Sequence, residues 1–588
     1  MLDPRVYRAG LLPALLALIV AAFSIQRPDA PLTATLPPDS FSGARAFGTL
    51  QALRDEFPSR RPGSDGDDAL AGRVRSDLLR AGFRVSDRRF DARTADGSTQ
   101  LRNVVGTRAG FTRRRIVVVA HRDALSSPAT AELSGTAGLL ELARVFRGRT
   151  LRKTLVLAST SGGSAGAAGA AELARDLDGV DAVIVLGDLA GRRLRRPMVV
   201  PWSNGDDVAP LLLRRTVEAA LRLEAGLRPG SVGAGAQFAR QAFPFTTGEQ
   251  GEFLARGEPS VLVSASGERG PEGETSVSPA RMGAFGRAVL RSITALDARS
   301  PAAPRPRAEV LVAGKVLPGW AVRLVAGALL LSVLMAAVDG VARVRRRRHP
   351  VGMWTAWTLS AALPFAGAAL FAYVLRWTGL MPSPPPGPVP EGAVALDGGA
   401  IAVLVAVALA LIVGWTAVRP LVLRIWGVRG DPGSPGAAAA VNLVLVLVAV
   451  IVWVVNPFAA TLLLPVVHAT LLVTAPEVRV RRGAALAVAG LALLPLALVT
   501  LYYAIALGYG PLDLAWTVLL FAAGGALGLP ALAAWCLLAG TLACALAVVR
   551  ARGALGGAEP PEPGPRIRGP VTYAGPGSLG GTESALRR

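Results

Sequence analysis

The chain has 588 residues, 52% of them hydrophobic, with a mean hydropathy of +0.44 and a formal net charge of +22. That length allows several domains, and that hydropathy excludes one soluble globule, because the apolar excess sits in the second half. The positive charge is almost all arginine, Lys153 and Lys315 being the only lysines. Much of it flanks apolar runs, so it is read as topology-setting charge and solvated faces and not as a nucleic-acid surface. Both cysteines, Cys536 and Cys544, lie in one apolar segment, which excludes a disulfide framework and a cysteine-based zinc site.

In chain order, Arg5 and Arg8 precede an apolar run from Ala9 to Ile25 whose length suits a signal peptide or an anchor. Gln26-Arg27-Pro28-Asp29 is a poor cleavage site, so residues 1–26 are read as an uncleaved anchor with its amino terminus inside. A Pro/Thr-rich linker follows over 27–44. From there to 298 helical and strand patterns alternate. Strands are predicted at Ile116–Ala120, Thr154–Ala158, Ala182–Leu186, Met198–Pro201 and Ser260–Ser264, and helices at Ala69–Ala81, Ala131–Arg147 and Asp207–Ala225. Alternation of this kind predicts a three-layer α/β sandwich with a mostly parallel central sheet.

Residues 299–317 read as a linker around Ser-Pro-Ala-Ala-Pro-Arg-Pro-Arg. Residues 318–550 read as an all-α polytopic membrane domain of about eight helices, each near the length that spans a bilayer. The apolar runs are Trp320–Val338, Met353–Leu375, Ala400–Val418, Ala437–Val455, Phe458–Thr474, Ala484–Leu507, Leu512–Leu529 and Ala531–Val549. With Arg5 and Arg8 inside, the arginines at 343–348, at 419, 424 and 429, and at 479, 481 and 482 also fall inside, and the arginine-free loop Pro382–Pro390 falls outside. If every run crosses, Arg550 and Arg552 fall outside, so either the last hairpin is re-entrant or a boundary is misplaced. Within the spans Asp339 and His468 are the notable ionisable groups; a lone intramembrane histidine is more often a hydrogen-bonded packing residue than part of a pathway. The Gly/Pro-rich tail 551–588 reads as disordered.

The chemistry-bearing stretch is Arg115–Phe146. A β-branched strand ends abruptly in His121-Arg122-Asp123, a loop follows, and then a helix. This puts two metal-capable side chains at the carboxyl end of a strand, the edge where open α/β sheets build their sites. The motifs around it occur in a telling order: Pro62-Gly63-Ser64, then Arg80-Ala81-Gly82-Phe83, then Asn103-Val104-Val105-Gly106, then the strand into His121 and Asp123, then Ser134-Gly135 opening the helix through Ala143, and later the strand ending near Asp188. In these motifs residues 45–298 resemble the M28 family of zinc peptidases, of aminopeptidase and glutamate-carboxypeptidase type.

That resemblance implies a two-zinc site built from a first His, a bridging Asp, a Glu-Glu pair, a later Asp and a late His, a set that supplies both metals and the base for the attacking water. Carried over residue by residue, the first His is His121, its orienting Asp is Asp123 and the later Asp is Asp188. The bridging Asp falls on Ala131, the Glu-Glu pair on about Gly163 and Ser164, and no histidine lies between 122 and 348 to serve as the late one. Glu132, Glu249 and Glu274 are the candidate substitutes.

The expectation is therefore a multi-pass plasma-membrane protein with residues 27–317 extracytoplasmic, whose M28-like domain is a catalytically degraded binding or scaffold module. It is expected to need no cofactor, zinc being the one implied if any of the site survives, and its partners are the lipid bilayer and a peptide or protein at the cleft. One alternative is an active zinc aminopeptidase with an altered, mononuclear site on His121, Asp188 and a replacement carboxylate. Another is a transporter-like membrane domain with an accessory ectodomain, against which the scarcity of charged residues in the spans speaks.

Overall fold

The computed structural model describes residues 4–36, 40–230, 232–273, 275–299, 304–384, 387–475 and 482–555. After the apolar helix α1 (Pro4–Phe23), the sheet domain runs α2 (Gly43–Glu56), α3 (Asp65–Arg80), β1 (Arg84–Thr94), β2 (Gly97–Arg108), β3 (Thr112–His121), α4 (Thr130–Val145), β4 (Lys153–Thr160), α5 (Ala168–Asp176), β5 (Val180–Leu186), β6 (Val199–Val200), α6 (Leu211–Ala225), α7 (Ala234–Ala242), α8 (Gln250–Leu254), β7 (Ser260–Val263) and α9 (Pro279–Ala298). The strands form one sheet in the order β1-β2-β4-β3-β5-β7-β6. Its centre, β4-β3-β5-β7, is parallel; β1–β2, β2–β4 and β6–β7 are antiparallel.

The central strands are buried on both faces, which is why they read as unbroken apolar runs. Ile116, Val118 and Ala120 point into a core shared with α2, α3, α4, α6 and α9, while Val117 and Val119 point into a second core with α5 and α8. From β3 the chain crosses to β4 on one side, and from β4 it returns past β3 to β5 on the other. The carboxyl ends of β3 and β5 thus flank the point where connections diverge, the place where such sheets form a crevice. The predicted strands correspond to β3–β7, with Met198–Pro201 overrunning β6 by a residue at each end and Ser260–Ser264 overrunning β7 by one. The long hairpin β1–β2 has no apolar alternation on its outer strand, whose residues are mostly arginine, aspartate and serine, so only its inner strand was visible as Asn103–Gly106.

Residues 309–318 are not plain linker. They form a hairpin, β8 (Glu309–Val312) and β9 (Lys315–Pro318), closed by Ala313 and Gly314 with φ of 49° and 77°. Gln237 of α7 fixes it by bonding both the N–H and C=O of Leu311, at 2.9 and 3.1 Å, and Gln26 pairs with Val316.

The remaining helices are α10 (Gly319–Arg346), α11 (Val351–Ser360), α12 (Leu363–Trp377), α13 (Gly398–Val413), α14 (Arg419–Ile425), α15 (Pro435–Val455), α16 (Pro457–Val473), α17 (Arg482–Leu507), α18 (Pro511–Gly524) and α19 (Leu529–Leu555). Among the described residues 7 helical segments are long and apolar enough to cross a membrane, α1 included. α1 lies along α10, where an added Cβ at Gly10 would stand 2.6 Å from Ser332 Cα, and Tyr7 hydroxyl is 2.7 Å from His468 Nδ1. Small residues permit such close backbone approach.

The sheet domain is seated on one end of this bundle. Asn456, between α15 and α16, donates to Gln241 O at 2.7 Å, and Tyr503 of α17 donates to Phe243 O. α18 begins and ends at that same end. Tyr509, just before it, donates to Val389 O at 2.9 Å, and Phe521, near its close, lies 5.3 Å from Phe245 of the sheet domain. The apolar run Leu512–Leu529 therefore does not traverse the bundle: 14 residues reach only about 21 Å as a helix. α19 then runs the full length, from Trp535 stacked on Phe243 to Arg552, which donates to the carbonyls of Gly433 and Thr474 at the far end. Of the tail read as disordered, residues 551–555 continue α19 and 556–588 lie outside the described residues.

Candidate functional site

The site edge is assembled by four strand ends. β3 delivers His121 directly beside Thr160 of β4, its parallel partner. The His121 carbonyl accepts from Thr136 Oγ1 at 2.9 Å, which ties the strand end to α4. The ring faces Glu249, the residue preceding α8, with Nδ1 and Oε2 3.5 Å apart. Glu249 is 2% exposed, and its other oxygen accepts from Thr160 Oγ1 at 2.6 Å. Burial by itself would lower the His121 pKa, but Glu249 at close range, with Asp123 and Glu132 behind it, outweighs burial and lifts it to about 9.

Asp123 does not orient the ring as the family pattern implies. Its carboxylate is turned to the β4–α5 turn, where it accepts from Gly163 N and Ser164 N, both at 3.0 Å, and from Ser164 Oγ at 2.6 Å. Three donors on one carboxylate leave little capacity for a cation. Gly163 itself is pressed against the histidine: an added Cβ would lie 2.3 Å from His121 Cβ and 2.5 Å from Cγ. The position that the resemblance assigns to a glutamate has no room for one while His121 keeps this pose.

Asp188 is likewise spent. It accepts from Ala190 N at 3.0 Å, Gly191 N at 2.6 Å and Ser266 Oγ, with Ser134 Oγ 3.5 Å away. Burial raises its pKa against the pull of these donors. Ala131 opens α4 buried and without a donor atom in its side chain. Glu132, one residue on, keeps a sealed Oε2 with no hydrogen-bond partner, and burial lifts its pKa to about 7. Glu274 lies outside the described residues. Among the described residues no three His, Cys, Asp or Glu side chains stand together as a metal-holding group.

Two residues whose roles sequence reasoning passed over build the wall behind His121. Arg122, fully buried, donates to the carbonyls of Asp67, Ser159 and Arg102 and lies 2.8 Å from Asp67 Oδ1. Arg60, also fully buried, donates to the carbonyls of Arg122, Pro128 and Ala129 and so fixes the loop in front of α4. Their partners are distant in sequence, and no local spacing marks them.

Comparison with solved structures finds several that are similar to part of this chain. A zinc aminopeptidase from Bacillus subtilis is 12% identical over 44% of this chain and 95% of its own, with a TM-score of 0.36. A leucine aminopeptidase precursor from Bacteroides thetaiotaomicron is 16% identical over 44% of this chain and 99% of its own, with a TM-score of 0.34. A glutaminyl cyclase from Porphyromonas gingivalis is 19% identical over 43% and 98%, with a TM-score of 0.32. No family model and no curated protein matches the chain.

The site edge is also covered. An added Cβ at Gly387, in the loop between α12 and α13, would stand 3.3 Å from Gly166 O and 3.7 Å from Glu252 Oε1. Glu391 of the same loop pairs with Arg269 at 2.8 Å. The helical bundle thus reaches the turns that hold Gly163 and Glu249.

Proposed function

We propose that this chain is a multi-pass membrane protein whose aminopeptidase-like domain has given up two-zinc hydrolysis and serves as a binding or scaffold module on the outer face. The observation that carries the reading is the packing of Gly163 on His121. A cocatalytic site needs carboxylates at 131, 163 and 164; here those positions hold Ala131, Gly163 and Ser164, and the His121 side chain fills the space a glutamate at 163 would need. The acids that remain, Asp123 and Asp188, are occupied by internal donors. A dinuclear zinc centre does not fit these residues.

The membrane arrangement supports the same picture. Crossings by α1, α10, α11–α12, α13–α14, α15, α16, α17 and α19, with α18 turning back, make an even number. Both termini then share a side with the arginines at 343–348, 424, 429 and 552, as the positive-inside rule requires. The sheet domain sits on the opposite side, beside the arginine-free loop.

A second reading, a one-ion metallopeptidase, is favoured by one observation: His121 Nδ1, Glu132 Oε2 and Glu249 Oε2 are sealed atoms without hydrogen-bond partners. Zinc content of the full chain, purified in mild detergent and loaded with zinc, separates the two. The scaffold reading expects far less than one zinc per chain, unchanged in His121→Ala. One zinc per chain, lost in His121→Ala, with chelator-sensitive aminopeptidase activity, would establish the metallopeptidase instead.

A further inference from the structure

A charge that meets no counter-charge among the described residues stands at the end of the bundle remote from the sheet domain. α13 passes at Gly414 into one π-helical turn through Val418, and the wider turn changes which way the following residues face. Val418 and Leu421 are 47% and 56% exposed, whereas Arg419 is only 8% exposed. Its guanidinium lies 4.6 Å from the Trp415 ring and 5.2 Å from the Trp357 ring. Nε donates to Ser360 Oγ at 3.3 Å, and Nη2 to Trp357 O at 3.2 Å and Cys544 Sγ at 3.3 Å. Among the described residues Arg419 forms no ion pair. Among the described residues Nη1 has no acceptor, yet it is not one of their sealed unpartnered atoms, so it meets the surroundings.

Indole faces and neutral acceptors soften a guanidinium but leave its full charge, and an unneutralised arginine inside a bilayer is expensive. The position supplies the missing partner. Arg419 lies about 30 Å along the axis from the start of α13 at 1.5 Å per residue, and the hydrocarbon layer is about 30 Å thick. The guanidinium therefore reaches the phosphate level of the leaflet on the arginine-rich side, where Arg424, Arg429 and Arg552 add to the attraction for anions. We propose that Arg419, framed by Trp357, Trp415 and Ser360, is a headgroup site for one anionic phospholipid, its phosphodiester seated on Nη1. The guanidinium fork suits a phosphate, and tryptophan belongs at this depth.

The inference rests on the membrane reading, and the two fail separately. A chain released by alkaline carbonate would overturn the membrane reading; a carbonate-resistant chain without lipid selectivity would overturn the site alone. The experiment is native mass spectrometry of the delipidated full chain titrated with phosphatidylglycerol, phosphatidylcholine or inorganic phosphate. Expected is one phosphatidylglycerol retained about tenfold more tightly than phosphatidylcholine, a difference of about 1.4 kcal/mol. Arg419→Gln abolishes that preference, Arg419→Lys keeps part of it, and Cys544→Ala and Arg424→Gln keep nearly all. Displacement of the lipid by millimolar phosphate would make this a soluble-anion site instead. Equal loss in Arg424→Gln would reduce it to diffuse surface attraction, and unaltered binding in Arg419→Gln would refute it.

Discussion

Gly163→Ala tests the site reading most directly. A methyl at 163 would fall 2.3 Å from His121 Cβ and 2.5 Å from Cγ, both stiff atoms at the root of the ring. Carbon atoms in contact need about 3.5 Å or more. Neither side can yield easily: Gly163 N is held by Asp123 at 3.0 Å, and His121 is the last residue of a central strand paired with Thr160. Overpacking of this kind costs about 1–3 kcal/mol, and the rigid surroundings point to about 3. For a domain of this size that lowers Tm by about 6–12 °C. The assay is thermal unfolding of the full chain in detergent, run as a cycle with His121→Ala. Removing the ring opens the space, so the double variant should recover most of what Gly163→Ala loses, a coupling of about 2 kcal/mol. A neutral Gly163→Ala, or no recovery in the double variant, would show that 163 is open to a side chain, and the argument against a carboxylate there would collapse.

The His121–Glu249 pair makes stability depend on pH. At about 1.4 kcal/mol per pH unit, the rise of His121 from 6.5 to about 9 is worth about 3 kcal/mol. A raised folded pKa gives stability that is complete below 6.5 and lost as pH climbs through 9, so Tm should fall across that window in wild type and stay nearly flat in Glu249→Gln. Glu132, raised from 4.5 to about 7, acts with the same sign over the lower interval. Arg240 joins the two domains: it is 2% exposed, pairs with Glu268 at 2.6 Å and lies 4.8 Å from the Tyr503 ring. Arg240→Met should destabilise by about 3–5 kcal/mol, and Arg240→Met with Glu268→Met should recover a large part; equal Tm for wild type and Arg240→Met refutes the link. With Cys536 and Cys544 replaced by alanine, Arg550→Cys should react with an impermeant maleimide only in opened vesicles of the inner side; labelling of intact cells from outside would restore α18 as a crossing.

The sequence by itself determined the central sheet, because strands buried on both faces leave continuous β-branched runs, and it determined the apolar helices, because span length is set by bilayer thickness. It also placed His121, Asp123 and Asp188 at strand ends, and it showed that 131, 163 and 164 lack carboxylates, since absence is read from identity alone. It did not reach the partners. Asp123 chose two backbone N–H groups over the histidine ring, and Glu249, one of several candidate substitutes, became the residue facing His121; both outcomes depend on which turns the sheet brings side by side. Hydropathy could not tell that Leu512–Leu529 turns back, because composition carries length and not direction; the contacts of Phe521 with Phe245 and of Trp535 with Phe243 decided it. The same holds for Arg419, whose sequence context is a span end followed by basic residues, and whose burial between two indoles follows from a single wide helical turn.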